Sequence, residues 1–194
     1  ILRCLVGSEM CIRDRLNTRY YIVPLQQGAT APLFNPHALG NAWLVKEVKY
    51  VNNANEEIDA IHGMNPRETA IVDKRFAETV KQPAAMPDSL DNIVLKSYAP
   101  NALQYEVDTK QGGTVVFSEI YYPGWRSYID GEEVSHGRAN YILRAMNVPA
   151  GKHTIEFVFD PQSLHATEMI AFIALGIMLL GALGAIVMGL RKAK

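Results

Sequence analysis

Cysteine is nearly absent from this chain. Only Cys4 and Cys11 occur among its 194 residues, both close to the N-terminal end. Everything downstream therefore rests on no disulfides and offers no thiolate site for a metal. Histidine is sparse as well: His37, His62, His136, His153 and His165 show neither HxxxH nor HxH spacing, which argues against a zinc centre. No metal site and no cofactor is expected in this chain. The formal net charge is −1, so neither sign is in excess and there is no electrostatic case for nucleic acid. A phosphate-binding glycine loop is missing, Gly112-Gly113 being only a turn, and there is no internal repeat.

Long apolar runs are missing too, with one exception. Met169 to Leu190 reads MIAFIALGIMLLGALGAIVMGL, without a charged or strongly polar residue. As a helix it spans about 33 Å at about 1.5 Å per residue, enough to cross a bilayer core. Glu168 precedes the run, and Arg191, Lys192 and Lys194 follow it. The positive-inside bias makes residues 191–194 a cytoplasmic tail and places the polar part of the chain outside the membrane. Gly181, Ala185 and Gly189 lie four apart, a face of small residues that lets another helix pack closely. That face fits a multi-pass protein better than a single-pass anchor.

The polar part is organised around Gly113 to Pro161. Val115, Phe117 and Tyr121 fall at period-2 spacing, as do Ile155, Phe157 and Phe159, which predicts half-buried antiparallel strands. Asp130-Gly131 supplies one hairpin turn, after Trp125–Ile129, and Pro149-Ala150-Gly151-Lys152 another. Further strands are expected at Ile93–Ser97 and Leu103–Val107. Upstream, Asn17–Val23 and Ala42–Val51 read as strands, and Pro24–Pro36 as an irregular loop. Asn53 and Glu56 form a capping pair for a short helix with Ile58 and Ile61 on its apolar side. Ala70–Asp73 reads as another short strand, and Phe76–Asp88 as a linker. The first fifteen residues stand apart, because charges interrupt any apolar stretch and exclude a signal peptide. Their CLVGSEMCIRDR also resembles translated adapter sequence found at the ends of reading frames assembled from environmental DNA, so the natural chain is expected to extend upstream of Leu16.

The predicted architecture is mainly β with some α. It comprises a leader over residues 1–15, a small α/β part over 16–88 and an antiparallel, jelly-roll-like β-sandwich over 89–161. A transmembrane helix over 169–190 and the basic tail complete it. Within the sandwich, aromatic faces that stack on sugars and arginines that fork onto phosphate lie close together in sequence. Parity puts Trp125 and Ile129 on the inner face of their strand and Arg126 and Tyr128 on the outer. Tyr122, Arg126, Tyr128 and Arg144 are the candidate substrate-binding residues. Glu119 is read as a solvated strand carboxylate, and no catalytic residue is assigned.

Several strings then carry a resemblance: NPHALGNAWLV, NANEEIDAI, TAIVDKRF, FSEIYYPGWRSYIDGEEV and RANYILRAMNVPAGKHTIEFVFDP, followed by the terminal apolar helix. Together they resemble the C-terminal portion of YfhO-family bacterial membrane proteins, in the variant typical of Bacteroides-like bacteria. The resemblance implies a polytopic, GT-C-like glycosyltransferase of the cytoplasmic membrane that uses polyprenyl-phosphate sugars to modify envelope glycans. It also implies that the catalytic acidic residue lies in an earlier extracytoplasmic loop, outside this chain. On that reading the chain is the appended domain and last helix, accessory to donor or acceptor recognition. Its expected partners are the upstream transmembrane helices of the parent and a polyprenyl-phosphate sugar or envelope glycan. The alternative is a stand-alone membrane-anchored β-sandwich used for glycan binding or envelope structure.

Overall fold

The computed structural model describes residues 14–25 and 28–192. The strands are β1 (Tyr20–Pro24), β2 (Thr30–Phe34), β3 (Ala42–Val45), β4 (Glu47–Val51), β5 (Thr69–Asp73), β6 (Asn92–Ala99) and β7 (Ala102–Thr109). They continue with β8 (Gly113–Ile120), β9 (Trp125–Ile129), β10 (Glu132–Glu133), β11 (Gly137–Ala139), β12 (Leu143–Val148) and β13 (Gly151–Phe159). Two α-helices, α1 (Ala54–Ile61) and α2 (Gln162–Lys192), and a single 3-10 turn, Lys74–Phe76, complete the described elements.

Two antiparallel sheets face each other, one in the order β10-β9-β13-β7-β6 and the other β11-β12-β8-β3. Strand alternation drives Leu103, Tyr105 and Val107 inward from β7 and Ile155 and Phe157 from β13. They meet Val115, Phe117, Met146 and Val148 of the second sheet in one core. Tyr105, Phe117 and Phe157 contact one another edge to face, with centroids 4.9–6.1 Å apart. Each ring contributes on the order of 4 kcal/mol of burial before the entropy of ordering it is subtracted. Asp130 (φ 52°) and Gly131 (φ 87°) both take the left-handed conformation that the tight β9–β10 turn demands.

The second sheet is covered on both faces, which strict alternation does not predict. Val116, Ala139, Leu143 and Ala145 point away from the sandwich and pack on Val48, Ala70, Val72 and Val80. Buried on two sides, β8 reads as the continuous run Thr114–Phe117 instead of alternating. The covering layer is a β4-α1-β5 unit whose two strands pair in parallel. Asn53 caps α1 as expected, its Oδ1 accepting from the Glu56 backbone N at 3.0 Å, while the Glu56 carboxylate accepts from Asn52 N at 2.9 Å. The buried side of α1, however, is Glu57 and Ile61, and Ile58 is exposed.

Three further readings change. Ala42–Val51 is two strands: the chain turns at Lys46, so β3 becomes an edge of the sandwich and β4 joins the parallel pair. Residues 16–88 thus share a sheet with 89–161. Pro24–Pro36 is not an irregular loop, since Thr30–Phe34 pairs with β1 in a hairpin. Its Pro32 and the glycine before it disguise a strand that is an edge, where proline is tolerated. The linker is partly packed: Val80 is fully buried, and the Gln82 side chain both donates to and accepts from the Val48 backbone. Of the leader, Asp14 and Arg15 are docked on the fold, the Arg15 carbonyl accepting from Ser118 Oγ at 2.7 Å. Residues 1–13 lie outside the described residues.

After β13 only Asp160 and Pro161 intervene before α2. The span Ser163–Arg191 is long and apolar enough to cross a membrane, and none of its most apolar stretch is buried within the chain.

Candidate functional site

Where β8 ends and β13 gives way to α2, the loop Tyr121–Gly124 folds over the end of the sandwich. Gly124 holds it there. The Gly124 carbonyl accepts from Asp160 N at 2.8 Å, and a Cβ at this position would lie 2.9 Å from the Pro161 side chain. Its φ of 101° closes the position to other residues without strain. Between this loop, β9 and the segment after β10 lies an open cleft of about 210 Å³, walled by Tyr121, Tyr122, Trp125, Arg126, Glu133 and His136 among others.

Arg126 organises the charge at the mouth. Its Nε donates to Glu133 Oε1 at 3.0 Å, and its guanidinium lies 3.5 Å from Asp160 Oδ2. The His165 ring in the first turns of α2 meets the other Asp160 oxygen at 2.6 Å. Hydrogen bonding to Arg126 holds the Glu133 carboxyl below its ordinary range, and the His165 contact does the same for Asp160. One guanidinium is therefore shared by two ionised carboxylates.

At the back of the cleft, His136 is neutral. Burial, with the Arg144 charge beside it, pulls its pKa down to about 4. Ser127 Oγ has one proton and gives it to the Val134 carbonyl, so it accepts from His136 Nδ1–H at 2.8 Å. That fixes the tautomer and leaves Nε2 as an acceptor. The ring is held edge-on between Tyr121 and Phe157.

The sequence-predicted residues divide between the cleft and the layer beneath it. Tyr122 and Arg126 line it. Tyr128 follows on the same outer face of β9, with the Arg126 guanidinium 6.0 Å from its ring centre. Parity on β9 holds: Ser127 and Ile129 are buried, Trp125 packs against the core and Arg126 is exposed. Arg144 lies elsewhere. It is 2% exposed, pressed flat on Trp125 at 4.0 Å and over Phe157 at 5.1 Å, with Nε donating to the Ile120 carbonyl at 3.0 Å. One of its terminal nitrogens has no hydrogen-bond partner among the described residues. Arg144 thus backs Trp125 from inside. Glu119 faces the same interior, and burial raises its carboxyl above the ordinary range despite the Arg144 charge. Because an incompletely satisfied guanidinium is costly to bury, Arg144→Met should leave the fold equally stable or up to about 1 kcal/mol more stable. A fall of several degrees in the melting temperature would show instead that its charge is well accommodated.

Sequence reasoning missed the clamp that ties the covering layer to the sandwich. Glu57, fully buried, accepts from Arg138 at 2.6 Å and from Tyr141 N at 2.8 Å. Asn140, at φ 51°, exchanges hydrogen bonds with Ile71, accepting through Oδ1 at 2.9 Å and donating its backbone N at 2.7 Å. The Arg138-Ala139-Asn140 string is therefore structural. The available signal was the i, i+4 spacing that places Glu57 on the same helix face as Ile61. No group of acidic, histidine or cysteine side chains suited to a metal occurs among the described residues.

No curated protein and no solved structure matches this chain. Residues 78–171 match the family model described as bacterial membrane protein YfhO, a stretch that holds nearly all of the sandwich, the whole cleft and the root of α2. Over that stretch, with a helix able to span a bilayer directly after the last strand, the chain is similar to the YfhO family of bacterial membrane proteins.

Proposed function

We propose that this chain is the extracytoplasmic sandwich and last membrane helix of a multi-pass envelope glycosyltransferase, and that its cleft recognises a sugar ring of the glycan substrate. The observation that carries this is the make-up of the cleft: an exposed Tyr122 ring beside an arginine flanked by two ionised carboxylates, within a few residues of the membrane helix. Planar charged groups that donate and accept in pairs suit vicinal hydroxyls, and an aromatic face suits the apolar face of a sugar. With Arg126 already shared between Glu133 and Asp160, the mouth carries no excess positive charge. It therefore favours the sugar over the phosphate of a polyprenyl-phosphate donor. Arg144 supports the site from below by holding Trp125. The apolar helix and its basic tail support a location of the cleft at the outer face of the cytoplasmic membrane with the tail inside, and the small-residue face of Gly181, Ala185 and Gly189 suits packing against upstream helices of the parent. The family resemblance carried by the sequence supports sugar transfer from a polyprenyl-phosphate donor as the reaction class, with this cleft serving recognition and no catalytic residue assigned to it.

The test uses the full-length parent in cells, with Tyr122→Ala and Arg126→Ala. Both side chains are exposed, so stability of the purified chain should change by about 0.5 kcal/mol or less. Glycan modification should fall about tenfold, the equivalent of about 1.4 kcal/mol of lost recognition. Unchanged modification by both variants would remove the cleft from the reaction.

A further inference from the structure

The two ends of the sandwich differ in character. At the end remote from α2, Lys152 meets Asp108 and Lys110 meets Asp88, a charged and water-facing rim. At the end where α2 leaves, Tyr98, Ile120 and Tyr122 are each more than half exposed. The β1–β2 hairpin belongs to this same end. Ser118, two residues before the end of β8, anchors the hairpin's flanks as a donor: its backbone N donates to the Asn41 carbonyl at 2.9 Å, and its hydroxyl proton is shared between the Arg15 and Gly40 carbonyls, each 2.7 Å from Oγ.

The hairpin itself is apolar and uncovered. Between Tyr20 and Val45 the sequence contains no aspartate, glutamate, lysine or arginine. Tyr20, Ile22, Leu25, Leu33 and Phe34 are all more than half exposed, and Tyr20 and Phe34 pair edge to face at 5.7 Å. Exposed apolar surface of this extent on a polar domain marks an interaction site.

We infer that the β1–β2 hairpin, with the Ile120 rim, lies against the lipid headgroup layer of the membrane that α2 spans. Three arguments select lipid. Ile120 lies at the end of the sandwich from which α2 leaves: two residues on, the Tyr122 ring is 6.3 Å from that of Phe159, the last residue of β13, and only two residues separate Phe159 from α2. Tyrosine and proline with aliphatic side chains, and no acidic group, suit the headgroup boundary, where tyrosine is enriched. A hairpin of two strands also leaves outer backbone groups unpaired, so it cannot enter the hydrocarbon but can rest where water and headgroups satisfy them. This inference rests on α2 crossing the bilayer and is independent of the sugar reading.

The experiment uses the full chain in phosphatidylcholine nanodiscs, with Cys4→Ser and Cys11→Ser and single cysteines carrying a bimane label. Labels at Ile22→Cys and Ile120→Cys test the surface, Leu90→Cys marks the remote end, and Ile177→Cys marks the middle of α2. Nitroxide near the lipid headgroup should quench Ile22 and Ile120 about threefold more than Leu90, and aqueous iodide should do the reverse. Deep acyl-chain nitroxide should quench Ile177. Quenching of Ile22 like Leu90, with Ile177 still inserted, overturns the inference. So does shielding of Ile22 from both quenchers with concentration-dependent crosslinking, which would mean that a second copy covers the hairpin. Failure at Ile177 would overturn the membrane span and this inference together, leaving the sugar cleft to its own test.

Discussion

Glu57→Ala is expected to destabilise the chain by about 2–3 kcal/mol, although the residue lies on an eight-residue surface helix far from the core aromatics. The substitution leaves the Arg138 guanidinium and the Tyr141 N–H without their acceptor. Removing one partner of a buried pair typically costs about 3–5 kcal/mol, and Arg138, 19% exposed at its side chain, recovers part of that through water. Glu57→Gln keeps an acceptor for Tyr141 and should cost about 1 kcal/mol. Chemical denaturation of the two variants beside the wild type separates charge from shape. Equal stability of Glu57→Ala and wild type would mean that the β4-α1-β5 layer contributes nothing to cooperative folding.

Acidification should act mainly through His136. Its folded pKa of about 4 lies below the ordinary value of 6.5, so the unfolded chain takes up the proton first. The stability it supports is complete above about pH 6.5, declines as pH falls and levels off below about 4. The gap corresponds to about 3 kcal/mol. Glu57 and Glu119, whose carboxyls burial raises, gain protons more readily in the folded state and oppose this trend as pH falls. The clean quantity is therefore the difference between wild type and His136→Gln. Relative to the variant, wild type should lose about 3 kcal/mol between pH 7 and pH 4. A difference that stays flat over this range would mean that water reaches the imidazole.

Much of this architecture is legible in the sequence because it follows from local rules. The apolar run of α2, the alternation on β7 and β13, the Asp130-Gly131 turn and the Asn53 cap are all stated by neighbouring residues. What is not legible depends on a third layer. Ala42–Val51 looks like one strand because both halves alternate, and only the partners available to each half divide it at Lys46. Glu57 looks like a solvated helix residue until Arg138, 81 positions away, is brought to it. Arg144 has the residue type of a phosphate ligand and the opposite location, because β12 parity turns it inward onto Trp125. Residue type and parity point to Tyr122 and Arg126, which line the cleft, but not to His136, since nothing local marks a histidine that Ser127, Tyr121 and Phe157 will enclose.

The joint between sandwich and membrane has a mechanical consequence. Two residues connect β13 to α2; Pro161 fixes its own φ, Asp160 N is tethered to Gly124, and Asp160 Oδ1 is tethered to His165. So short and doubly pinned a connection transmits rotation instead of absorbing it. A membrane helix longer than the hydrocarbon is thick adjusts by tilting, and thinner bilayers tilt it more. With α2 in a bilayer, as proposed, such a tilt would become a rotation of the cleft, and bilayer thickness would set the angle at which the site meets whatever stands on the membrane surface.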